Sequence, residues 1–311
     1  MWLVELPPGW GSERRALPAS LAQCAQSSAR PCQVRIRMAE SSKLQLFIKA
    51  SDDGESIGHC PFCQRLFMVL LLKGVPFTLT TVDVKRSLDV LKAFAPGSQL
   101  PVLLYDGEPK TDTIKIEEFL EETLRPPKYP SLVPRYKESF VAGNDVFHKF
   151  SAYIKNPLPA QDEALQSGLL KALWKLDTYL RTPLEYELAQ DPRLTVSRRR
   201  FLDGDQLTLA DCSLLPKLNI VHVVCEHYRQ FGIPKDLRGI WQYLNNAQEV
   251  KEFKYTCPNN EEIVQAYSPV DRSSGEQRPL PSPRSPMAPL SPSINGQCQS
   301  PRAGGGAGGR V

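Results

Sequence analysis

His59-Cys60-Pro61-Phe62-Cys63-Gln64-Arg65-Leu66-Phe67 decides how the rest of this 311-residue chain is read. Pro61 suits the first position of a helix, because the N–H it lacks would be unpaired there anyway. Leu66, Phe67, Val69, Leu70 and Leu72 carry an apolar pattern on to Lys73, and Gly74 stops it. Cys60 therefore sits at the start of a helix, where free backbone N–H groups and the positive end of the helix dipole lower a thiol pKa. Cys63 falls three residues on, on the same face and within reach of a disulfide. The pair reads as an attacking thiolate with a resolving thiol behind it. The competing reading is a structural zinc pair with His59. Zinc needs two further ligands, and this part of the chain has no second closely spaced Cys or Cys/His pair. His222, Cys225 and His227 lie on a mostly apolar segment, so no metal is expected.

Outward from the motif, Leu44 to Ile48 alternates and ends in Lys49, a short strand. The polar loop Ser51 to Gly58 leads to the helix. Phe77 to Val84 reads as a second strand, Leu88 to Phe94 as a short helix, and Val102 to Tyr105 as a third strand entered from Pro101. Asp106-Gly107 turns the chain and Thr113 to Leu124 forms another helix. This β-α-β-α-β-turn-α order predicts a small α/β domain of thioredoxin type over 38–126. A proline-rich linker, 127–134, follows. Beyond it Tyr136 to Ile154, Glu163 to Leu180, Leu209 to Phe231 and Ile240 to Phe253 read as amphipathic helices, predicting an all-α domain over 135–268. Thr208-Leu209-Ala210-Asp211 is a capping box, a folding device. A long charged loop, 181–200, is expected to be mobile.

Composition separates the two ends from the middle. The net charge of +4 comes from 38 Lys and Arg against 34 Asp and Glu. Residues 1–37 and 269–311 each carry about +3, leaving 38–268 at about −2. The excess of basic groups therefore gives no warrant for an acidic partner of the folded part, and nucleic-acid binding is not expected; Arg198-Arg199-Arg200 reads as a solvated charge run. The Pro-, Ser- and Gly-rich tail 269–311 reads as disordered and 1–37 as a variable extension without a secretory signal. Eight cysteines are too sparse for a stapled secreted scaffold, so cytoplasm or nucleus is expected.

The His59 to Met68 stretch, Gly97-Ser98-Gln99-Leu100-Pro101, Lys110-Thr111-Asp112-Thr113, Phe201-Leu202-Asp203-Gly204 and Leu209-Ala210-Asp211-Cys212 together resemble the chloride intracellular channel family, within the omega-like glutathione transferase fold. The resemblance covers residues 38 to about 268. It implies an α/β thioredoxin-like N-terminal domain followed by an all-α glutathione-transferase-like C-terminal domain. It also implies glutathione as co-substrate, joined to Cys60 as a mixed disulfide, with Phe62 beside it. Leu100 and Pro101, the latter in the cis form, would pair with the peptide backbone, and Asp112 and Thr113 would receive the γ-glutamyl end. Several family members have serine at the position of Cys63; cysteine here keeps an internal disulfide open.

The resemblance further implies a membrane-inserting segment corresponding to Cys60 to Val82, giving a chloride path through the bilayer. As a constitutive span that segment is poor. Lys73 and Gly74 fall near its middle, where a Lys costs ~2.5 to 3.5 kcal/mol, and Pro76 follows. Insertion would require the first domain to come apart, and Arg65 and Lys73 could then line an anion path. Three functions stand open: a glutathione-dependent, glutaredoxin-like thiol–disulfide oxidoreductase acting on disulfide-bearing or glutathionylated proteins; a conditional chloride channel; and a non-catalytic adaptor whose 181–200 loop or tail binds protein partners. The expected states are a monomer in solution and an oligomer at the membrane.

Overall fold

Leu44, Leu46 and Ile48 face one side of the strand Leu44–Lys49 (β2) and Phe47 the other, the two-residue period of a sheet covered on both faces. The computed structural model describes residues 2–4, 43–86, 89–92 and 95–271, all within the compact unit Met1–Gly275. In it β2 is the middle strand of five. Phe77–Val82 (β3) runs parallel to it, with Gln45 opposite Thr78, and Val102–Tyr105 (β4) antiparallel, with Phe47 opposite Val102. Trp2–Val4 (β1) and Glu108–Lys110 (β5) complete the order β1-β3-β2-β4-β5. The helix Pro61–Lys73 (α1) connects the two parallel strands, and with Thr113–Thr123 (α3) it covers the Leu46 face through Leu66, Leu70, Ile116 and Leu120. The short helix Asp89–Lys92 (α2) and Ala95 lie over Phe47, Val82 and Val102 on the other face. This is the expected thioredoxin-like domain.

Two boundaries differ from the sequence reading. Trp2–Val4 lies in the stretch expected to be an extension, yet it pairs antiparallel with β3. Strand β3 ends at Val82 rather than Val84 because Asp83 turns the chain, its Oδ1 accepting the N–H groups of Lys85 and Arg86. The rest of the expected extension and the expected tail beyond Asp271 lie outside the described residues.

The second half is helical throughout: Lys137–Val141 (α4), Val146–Ile154 (α5), Pro159–Arg181 (α6), Glu185–Gln190 (α7), Leu209–Arg229 (α8), Arg238–Gln248 (α9), Lys251–Lys254 (α10) and Asn260–Asp271 (α11). The single helix expected over 136–154 is two. Gly143 sits at φ 72°, and a Cβ there would come within 3.0–3.3 Å of Leu214 and Leu176. The chain bends there to pass close over α6 and α8, which only glycine permits. The helix expected over 240–253 is also broken, by the extended Val250 at φ −89°, ψ 125°. Helix α11 has no counterpart in the sequence reading.

The 181–200 loop departs most from expectation. It contains α7, and its Arg199 is buried rather than solvated. The Arg199 guanidinium donates to the carbonyls of Tyr179, Thr182 and Leu202 and to Ser197 Oγ, and pairs with Glu187. Glu187 in turn accepts from Leu184 N–H, Arg198 N–H and the Ser197 hydroxyl. The loop is therefore tied to the end of α6 by buried polar bonds.

Candidate active site

The first turn of α1 is built as an anion holder. Cys60 is its N-cap residue, extended at φ −73°, ψ 113°, and Pro61 opens the helix. The neighbouring Cys63 thiol, and after it the backbone N–H groups of Cys63 and Phe62, favour the Cys60 thiolate. Together they hold the Cys60 thiol down to about 6 against the opposing effect of burial. Cys63 is the reverse case. It is fully buried, burial pushes its own pKa well up, and its Sγ accepts the Lys49 N–H at 3.4 Å. Both are free thiols. Cys60 is thus the more acidic of the two sulfurs, and burial holds its neighbour Cys63 in the thiol form.

The loop before Cys60 is fixed as tightly. Asp53 Oδ1 accepts from the Ser51 hydroxyl and from the N–H groups of Glu55 and Ser56 at 2.6–2.7 Å. Gly58 N–H bonds Lys49 O at 2.9 Å, and a Cβ on Gly58 would lie 2.5 Å from Ala50 O. Only glycine allows this close return to the end of β2, and it delivers His59 and Cys60 to the helix start.

The strand register brings the other expected residues to the same end of the sheet. Val102 faces Phe47, so Leu100 and Pro101 lie beside the carboxyl end of β2, and their peptide bond is cis. Lys110 faces Leu103, which returns Asp112 and Thr113 towards that end. Asp112 is the N-cap of α3, with Oδ1 accepting from Ile114 N–H at 2.9 Å and Lys115 N–H at 3.0 Å. Phe62 is exposed, with Lys217 Nζ from α8 5.7 Å from its ring centroid.

Several residues around His59 and Cys60 come from α11 and escaped the sequence reading. His59 Nδ1 lies 3.2 Å from Glu262 Oε1, and its ring meets Tyr267 edge-on at 6.4 Å. Burial holds the His59 imidazole below its ordinary range, against the bond to Glu262. Burial also pushes Tyr267 up to about 12. Gln64, one turn beyond Cys60, donates to Cys257 Sγ at 3.2 Å. His59 was legible as a polar neighbour of the motif, but nothing local in the sequence pairs it with a carboxylate 203 residues away.

Arg65 and Lys73 are both buried in ion pairs. The Arg65 Nε and Nη2 groups bond both oxygens of Glu117, whose pKa is raised because burial outweighs the pairing. Lys73 Nζ reaches Glu121 Oε1 at 2.9 Å, Leu124 O at 2.9 Å and Pro130 O at 2.7 Å. Residues 60–82 are here a helix, a turn and a sheet strand, and among the described residues no helix is long and apolar enough to cross a membrane. Nor, among them, is there a group of three or more His, Cys, Asp or Glu able to hold a metal.

Comparison with known proteins agrees with this architecture. Residues 42–127 match the family described as the CLIC-like N-terminal domain, and 163–246 the glutathione S-transferase C-terminal domain. Among solved structures, a Chlamydomonas reinhardtii dehydroascorbate reductase has the same fold at 23% identity and a TM-score of 0.60, over 74% of this chain and 99% of its own. A rice glutathione transferase solved with glutathione does so at 17% and 0.57, over 76% and 100%. The human protein named chloride intracellular channel protein 3 is 72% identical over 233 residues, 75% of this chain and 98% of that protein. With that identity over nearly the whole of a relative, the chain belongs to the chloride intracellular channel family.

Proposed function

We propose that the chain is a glutathione-dependent thiol–disulfide oxidoreductase of glutaredoxin type. What supports this reading is Cys60 at the N-cap of α1 with the free thiol of Cys63 three residues on, an arrangement that holds the Cys60 pKa down to about 6. The Cys60 thiolate attacks one sulfur of a disulfide or glutathionylated protein. The old S–S bond breaks, the departing thiolate takes a proton, and Cys60 is left in a mixed disulfide. A second thiol then displaces Cys60, which leaves readily because the same donors stabilise its thiolate. Burial of Cys63 disfavours the thiolate it would need to act as that second thiol, so glutathione is the resolving partner and Cys63 chiefly a donor. Leu100, Pro101, Asp112 and Thr113 hold the bound glutathione. Replacing Cys60 with Ser abolishes glutathione-dependent reduction of a small disulfide; an unchanged rate would overturn the assignment.

Family membership favours a second activity, a chloride channel formed after insertion in the membrane. In the fold described, that route must first break the buried Arg65–Glu117 and Lys73–Glu121 pairs and remove β3 from the sheet. Chloride current across bilayers to which the purified protein is added tests it, and its absence under both oxidising and acidic conditions counts against it.

A further inference from the structure

Beside the nucleophile lies a cleft of about 450 Å³ that no step above uses. It opens at the carboxyl ends of the parallel strands β2 and β3, with Lys49 from the first and Asp83 just past the second. Asp52 and, from α11, Glu262 and Gln265 line it, as does His59, the residue before Cys60.

The charges lining this cleft are unequally satisfied. Lys85 Nζ pairs with Asp52 Oδ1 at 2.7 Å, and Asp52 Oδ2 accepts from Gln265 at 2.8 Å. Asp83 is engaged in its own turn and with Arg86. Glu262 gives Oε1 to His59, while its Oε2 takes the Asp52 N–H only at 3.4 Å. Among the described residues no carboxylate lies within ion-pair distance of Lys49, a half-buried cation whose field reaches both Cys60 and His59. One unpaired ammonium and one carboxylate with a weakly used oxygen, lining the same cleft, complement an amino-acid head group that carries a carboxylate and an ammonium.

We propose that this cleft receives the γ-glutamyl head of the second glutathione, the one that discharges Cys60, with its carboxylate at Lys49 and its ammonium at Glu262. This rests on the exchange chemistry proposed above and is separate from the Asp112–Thr113 end, which serves the first glutathione. The incoming glutathione gives up its thiol proton, and its thiolate attacks the glutathione sulfur of the Cys60 mixed disulfide. The bond to Cys60 breaks, a bond between the two glutathione sulfurs forms, and Cys60 departs as a thiolate onto its waiting donors. Over the cycle a substrate disulfide is reduced by two glutathiones, or a glutathionylated protein by one, its own glutathione supplying the other half of the glutathione disulfide released.

The test uses the full chain with Cys63→Ser, loaded with one glutathione at Cys60, and follows discharge by intact mass after acid quenching. Glutathione is compared with 2-mercaptoethanol, a thiol with no amino-acid head. The expected discharge rate saturates with glutathione and rises linearly with 2-mercaptoethanol. Lys49→Gln slows discharge by glutathione about tenfold, the size of one charge-assisted contact, and by 2-mercaptoethanol less than about twofold. Lys49→Arg restores most of the loss. Equal slowing with both thiols would mean that Lys49 acts only on the Cys60 sulfur, and a wild-type rate that is linear in both would leave the cleft no binding role; either result overturns the proposal. Protein that cannot be loaded at Cys60 at all overturns the exchange chemistry itself, and the cleft's role falls with it.

Discussion

At the scale of single residues, the division of labour between Cys60 and Cys63 makes a measurable demand. Cys60 owes its low pKa first to the Cys63 thiol, so Cys63→Ala removes a donor and raises the pKa from about 6 towards the ordinary thiol range. Alkylation by iodoacetamide, followed against pH, then moves its midpoint upward by a unit or more on the order of magnitude given by one lost charge-assisted bond. Cys63→Ser keeps a hydroxyl donor and shifts the midpoint less. A midpoint unmoved in the Ala variant would assign the low pKa to the helix start alone. The sign carries over to stability. A thiol whose folded pKa lies below its unfolded value contributes stability that is fully present above the unfolded pKa of about 8.5 to 9 and is lost as pH falls through about 6. The reduced wild type should therefore gain stability relative to Cys60→Ser as pH rises from 6 to 9, measured by urea unfolding at each pH.

At the scale of elements, the start of α8 separates what a local pattern can reveal from what it cannot. Asp211 accepts the N–H and hydroxyl of Thr208, the reach-back expected of a capping box. It also accepts the Leu202 N–H at 3.0 Å and the Tyr243 hydroxyl at 2.9 Å, so one fully buried carboxylate joins α8, α9 and the segment before them. Asp211→Ala leaves four donors without an acceptor and costs about 3 kcal/mol or more, against about 1 for Thr208→Ala; urea midpoints of the two variants give the comparison. The cap was readable because its partners are three residues apart. Tyr243 was not, being 32 residues away. The same limit explains Arg199, which looks like the middle of a solvated run until the carbonyls of Tyr179, Thr182 and Leu202 are folded around it. It also explains Gly143, whose bend is required by Leu214 and Leu176 rather than by its own neighbours. By contrast α1 and β2 were legible in full, since period, Pro61 and Gly74 all lie within or next to the element.

At the scale of the whole molecule, the thioredoxin-like and helical halves share their buried groups. Helix α1 packs along α8, and residues from both halves enter one continuous apolar core. Polar bonds cross as well: Gln64 to Cys257 and His59 to Glu262. Inter-domain interfaces in one chain are often small and polar and let domains unfold separately; here the helix that begins at Cys60 is the interface. Separating the halves would expose the apolar face of α1, and with it the first turn that sets the Cys60 pKa. The reduced protein should therefore unfold in one cooperative transition. With Trp2 and Trp10 replaced by Phe, fluorescence of Trp174 and Trp241, both in the helical half, and loss of the fast Cys60 alkylation, a property of the other half, should share one urea midpoint. If alkylation slows at a lower urea concentration than the fluorescence changes, the thioredoxin-like half opens first. That order would make its release from α8, rather than global unfolding, the step that precedes any rearrangement at a membrane.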